Sequence, residues 1–103
     1  MKSYVIMQKK IFKVMNFLPT ISMFLGIIIR MFAGNEHNPP HFHAYYQDYK
    51  AIFDMDGEIL EGEMPKRQTK FIAAWAELHH DELLANWELA IDNQPLYKIE
   101  PLR

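Results

Sequence analysis

Cysteine is absent from the 103 residues. That excludes a disulfide scaffold and any thiolate metal site, and it permits a reducing compartment. A strong charge balance is missing too: 11 bases face 13 acids, for a net charge of −2 and a pI near 6.2. Domains that live on nucleic acid usually show a basic excess, so a mainly electrostatic nucleic-acid binder is disfavoured. The chain also lacks an apolar run long enough to span a bilayer. Its best candidate, VMNFLPTISMFLGIII, is interrupted by Asn16, Pro19 and Ser22 and is shorter than the ~20 residues a spanning helix needs. Preceded by KKIFK it imitates a secretion signal, but it reads better as a strand behind a short leader. No repeat, linker or low-complexity segment is visible.

What is present is an apolar, aromatic composition, 50% hydrophobic and 14% aromatic, which argues against disorder. The length suits one domain, with roughly 60–65% of the unfolded surface buried on folding. Charge is unevenly spread. Residues 1–18 carry Lys2, Lys9, Lys10 and Lys13 and no acid, while the rest holds seven bases against thirteen acids. A phosphate ligand would therefore need a local basic pocket.

Periodicity outlines the elements. TISMFLGIIIRMF, residues 20–32, is rich in Ile and Phe with Gly26 at its centre, and reads as two short strands or one bent strand. Residues 35–40 form a loop through their Asn and Pro content. In HFHAYY, Phe42, Ala44 and Tyr46 alternate with His41, His43 and Tyr45, the period of a half-buried strand. Gln47-Asp48 suits a tight turn, Tyr49 to Met55 a return strand, Asp56-Gly57 a hairpin and Glu58 to Glu61 a further strand. Pro65 suits the first helical position, with Phe71, Ile72, Trp75 and Leu78 at helical spacing. A second helix is expected over 81–92, with Asp81 and Glu82 in its first turn and Leu83, Leu84, Trp87 and Ile91 as its buried stripe. Asn93 and Pro95 end it, and LYKIEPL returns as a short strand or packs as a tail. The expected fold is α+β: an antiparallel meander of four or five strands, then two helices packed on one face.

The chemistry concentrates in NEHNPPHFHAYY, which places His37, His41 and His43 within seven positions. Two histidines two apart on a strand leave the same face. Three readings stay open. The imidazoles can share a divalent transition metal, with His37 or Glu36 folding over as third ligand; otherwise no cofactor is implied. They can act as acid and base near neutrality, as RNA cleavage requires, with Arg30 stabilising developing phosphate charge. Or they can cap the hairpin and bond backbone carbonyls. His37, His41, His43 and Arg30 are thus the candidate catalytic set, and His37, His41 and His43 the candidate metal ligands. Glu36, Asn38, Tyr45, Lys66 and Arg67 are candidate binding residues around them. Lys66, Arg67 and Lys70 also fit a solvated helix face. His79 and His80 fit the helix junction. The acids Asp54, Asp56, Glu58, Glu61 and Glu63 fit a solvated edge that discourages aggregation, or a docking surface for a basic partner.

At LPTISMFLGIIIRMF, NEHNPPHFHAYY and WAELHHDELLANWELA the chain resembles a bacterial family, the domain of unknown function 4160, from Leu18 to about Leu102. Members usually begin near the position of Leu18, which makes 1–17 an extension and 18–103 a single domain. Many carry a basic residue where this chain has Met23 and where it has His80, so any phosphate contact at those positions is weaker here. The resemblance implies a small cytoplasmic protein encoded beside another small protein, in a pattern like toxin–antitoxin pairs. It therefore implies a partner-binding component of such a two-gene or regulatory module, the partner being the neighbouring gene's product. The alternative is a histidine-dependent ribonuclease or metal-dependent hydrolase centred on His37, His41 and His43. No membrane role is expected, and a nucleic-acid partner is disfavoured by the acidic body.

Overall fold

The computed structural model describes residues 19–33 and 39–103. The extension 1–17, the loop residues Glu36, His37 and Asn38, and the start of the resemblance at Leu18 lie outside the described residues. Among the described residues five strands come first: β1 (Thr20–Phe24), β2 (Ile27–Arg30), β3 (His41–Tyr46), β4 (Tyr49–Asp54) and β5 (Ile59–Gly62). They form one antiparallel sheet in sequential order, a meander. Two helices follow, α1 (Lys66–Leu78) and α2 (His80–Ile91), completing an α+β fold.

The turns follow from their residues. Leu25 and Gly26 join β1 to β2 with φ of 49° and 79°, the left-handed pair that matches strand twist in a two-residue hairpin. Gly26 was legible there, whereas Leu25 is strained. Gln47, at φ 52°, opens the two-residue turn between β3 and β4. In the β4–β5 turn the Asp54 carboxylate accepts from the backbone N–H of Asp56 (2.9 Å) and Glu58 (3.0 Å). One acid of the expected docking run is thus occupied in shaping its own turn.

Alternation divides the sheet into two faces. Phe24, Ile27, Ile29, Phe42, Ala44, Ala51 and Phe53 point to one face and are buried. Trp75 of α1 packs there, its ring 5.3 Å from Phe24 and 5.7 Å from Phe42. The other face carries Met23, Ile28, Arg30, His41, His43, Tyr45, Lys50, Ile52 and Glu61, all intermediate or exposed. The second helix joins the same core, its Leu83 and Trp87 lying in one buried cluster with Ile72 and Trp75 of α1. Its Trp87, almost fully buried, lies 4.9 Å from the ring of His41, the first residue of β3, so α2 reaches the end of the sheet.

The helix ends differ slightly from expectation. Pro65 precedes the helix instead of opening it; its carbonyl accepts from Thr69 N–H (2.9 Å) and Oγ1 (3.0 Å). His79 ends α1 and starts α2 at φ −116°, with its imidazole bonded to Glu82. The expected stripes are partly wrong: Leu78 is 68% and Leu84 37% exposed, because each sits roughly 100° round its own helix from the buried lines Ile72, Trp75, Ala76 and Leu83, Asn86, Trp87. The polar Asn86 takes a buried place instead, at 1% exposure. Asn93, at φ 55°, ends α2, with its N–H donating to Ala90 O and that of Gln94 to Leu89 O. These paired bonds satisfy the last carbonyls.

The C-terminal segment packs as a tail. Asn86 donates to Tyr97 O (2.8 Å) and accepts from Tyr97 N–H (2.9 Å). Ile99 N–H donates to Ile21 O (2.7 Å), and Trp75 Nε1 donates to Glu100 O (2.9 Å). Among the described residues no helix is long and apolar enough to cross a membrane.

Candidate functional site

Three of the four residues proposed as catalytic come together on the half-buried face; the fourth, His37, lies outside the described residues. Arg30 and His43 are direct cross-strand partners between β2 and β3. Such pairs have Cβ atoms roughly 4.5–5.5 Å apart. Across β4 and β5 the same row continues through Ile52 to Glu61, and the neighbouring row runs Ile28, Tyr45, Lys50. The Arg30 guanidinium lies over the Tyr45 ring, 5.3 Å from its centre, a cation–π placement. His41 and His43 rings sit edge-on at 5.3 Å.

The two imidazoles are not equivalent. His41 Nδ1 lies 2.9 Å from Pro39 O, so in its neutral form this nitrogen carries the proton. With Trp87 against its ring, His41 is held in the manner of a structural histidine. His43 Nε2, by contrast, is buried with no hydrogen-bond partner among the described residues, and so is Arg30 Nε. Burial first, then the charges of His41 and Lys50, push the His43 pKa down, against a weaker upward pull from Glu61. At neutral pH His43 is therefore uncharged, suited to accept a proton and not to supply one.

Of the remaining candidates, Tyr45 belongs to this face. Lys66 and Arg67 are exposed at the start of α1, and Arg67 lies over its own neighbour Phe71, 5.6 Å from the ring centre. They do not join the histidine cluster. His79 and His80 serve the helix junction, His80 Nε2 lying 3.4 Å from Asp56 in the β4–β5 turn. Among the described residues no three histidines or carboxylates converge as a metal site. The expected third ligands, His37 and Glu36, fall outside them, and His41 Nδ1 is already engaged. Lys50 was missed in sequence reading. Its position opposite Tyr45 follows only from the Gln47-Asp48 turn, and that register, once drawn, would have found it.

A family model described as a domain of unknown function (DUF4160) matches residues 26–88, more than half of the chain. No curated protein and no solved structure matches.

Proposed function

We propose, from the premise that this chain belongs to the DUF4160 family, that it is the partner-binding component of a two-gene, toxin–antitoxin-like or regulatory module in the cytoplasm. The partner is the small protein encoded by the neighbouring gene. One observation carries the reading. One sheet face is sealed at near-zero exposure, while the other presents Met23, Ile28, Arg30, Tyr45 and Ile52 at intermediate exposure or more. Tyrosine, methionine and arginine around a small apolar centre are the residues that dominate protein interfaces. Flanking Lys50 and Glu61 give it a polar rim.

Coexpression with the neighbouring gene's product tests this. The wild-type chain is expected to copurify with it, and Tyr45→Ala and Ile52→Glu, checked as folded, are expected to weaken capture at least tenfold, as for a central interface residue. A monomeric, partner-free wild type, or full capture by both variants, overturns the reading.

A second reading is favoured by the convergence of Arg30, His41, His43 and Tyr45: a histidine-dependent ribonuclease or hydrolase. The neutral His43 would take a proton and Arg30 would meet phosphate charge. Toxicity on expression that vanishes in folded His43→Ala supports it. Equal growth of wild type, His41→Ala and His43→Ala removes it.

A further inference from the structure

The half-buried face contains two polar nitrogens whose unpaired state calls for an explanation. Arg30 Nε and His43 Nε2 are both shielded from solvent and both lack a hydrogen-bond partner among the described residues. A buried donor or acceptor left without a partner is costly, so each such group calls for one. They belong to residues directly opposite one another in the β2–β3 ladder. No carboxylate pairs with Arg30 among the described residues. An arginine held over an aromatic ring, next to an imidazole and with no acid of its own, lacks the counter-ion its chemistry asks for.

We propose that Arg30 and His43 form a binding site for a tetrahedral oxyanion, the phosphate group of a phosphate ester, on the half-buried face of the sheet. Arg30 supplies forked N–H donors and a fixed charge, and Tyr45 beneath it sets the guanidinium plane. His43 supplies one more donor when its Nε2 is protonated. The groups around the site are Lys50 from β4, which adds positive charge, His41 from β3, and Glu61 from β5, which opposes. Asp54 lies opposite His41 but is held by Asp56 and Glu58 backbone N–H groups. In this acidic chain the face is the local basic patch that a phosphate would need. Filling the site satisfies both orphaned nitrogens and offsets the mutual repulsion of the Arg30 and Lys50 charges. The inference shares residues with the second reading above but requires no reaction, and it needs no protein partner.

Binding of an anion favours the protonated His43 ring, so affinity rises as pH falls. The test is a histidine-selective NMR titration of the full chain with sodium sulfate, a dianion across the working range, at constant ionic strength set with chloride. Sodium acetate is the second arm. Sulfate is expected to raise the His43 titration midpoint by about one pH unit at saturation, a tenfold preference for the protonated ring. Acetate is expected to move His43 much less. In Arg30→Gln the sulfate effect disappears. If that variant does not fold, Arg30→Lys keeps the charge but loses the fork, and sulfate affinity is expected to fall severalfold. A His43 midpoint that ignores sulfate, or that responds equally in the Arg30 variants, overturns the site. An equal response to acetate overturns its tetrahedral character.

Discussion

Replacing His43 by leucine is expected to make this protein more stable. The ring is half-buried in the middle of β3, and its Nε2 has no hydrogen-bond partner among the described residues. A buried polar atom left unpaired costs about 1–3 kcal/mol, and a partly exposed residue belongs at the low end of that range. Leucine removes the orphan and sets an alkyl group beside Ile52, its neighbour across β4. A gain of about 1 kcal/mol follows, or roughly 4–8 °C in Tm for a domain this size. The pH dependence sharpens the test. The His43 pKa is lowered in the folded protein, by burial and then by His41 and Lys50. The unfolded chain therefore binds the proton more readily. His43 leaves wild-type stability untouched well above pH 6.5, the ordinary histidine value, and erodes it as pH falls through that value towards the lowered folded one. Leucine has no such linkage, so its advantage should grow between pH 8 and pH 5.5. Urea denaturation of both proteins at the two pH values measures it. A variant less stable than wild type at pH 8, or an advantage that shrinks on acidification, refutes the description of His43 as an unsatisfied, functionally retained base.

Other substitutions probe the frame that holds this face. Asn86→Ala removes both hydrogen bonds to the Tyr97 backbone and should destabilise by about 2 kcal/mol. Tyr97→Ala, at a residue 74% exposed, should stay within about 0.5 kcal/mol; equal losses in the two denaturation curves would refute the backbone origin. Leu25→Asn should stabilise by about 1 kcal/mol, since Leu25 sits at φ 49° before Gly26 and asparagine tolerates that conformation; an unchanged Tm would count against a strained turn. Gly62→Ala places a Cβ 2.5 Å from Lys50 O and 2.9 Å from Ala51 Cα at φ +90°. A loss of about 2–4 kcal/mol is expected from backbone strain and overpacking, with hydrogen exchange fastest in β5, and slow exchange there would contradict it.

The strands were legible because the period of two is written directly into residues such as Phe42, Ala44 and His43, and the turns because Asp and Gly mark them. The shared face of His41 and His43 followed from the same rule; the pairing of Arg30 with His43 came only with the β2–β3 register. What could not be read were effects of tertiary packing. Nothing local distinguishes His41, tied to Pro39 and Trp87, from His43, which has neither tie. The buried stripe of the helices failed at Leu78 and Leu84 because apolar residues flank the true lines, Ile72, Trp75, Ala76 and Leu83, Asn86, Trp87, and only packing decides which side is covered. The burial of Asn86 left no mark in the sequence, since asparagine is mostly exposed and its partner, the Tyr97 backbone, is eleven positions away.

The bond from Ile99 to Ile21 joins the last segment of the chain to its first strand. One border of the sheet is thereby latched by the protein's own end, while β5 forms the opposite border with every residue exposed. Trimming the chain from Leu96 onward would unfasten β1, some seventy-five residues upstream in sequence, and at the same time release Asn86 and Trp75 from the Tyr97 and Glu100 backbone. A protease clipping that end would thus act as a remote key to the β1 hairpin and to the side of the ladder that carries Arg30.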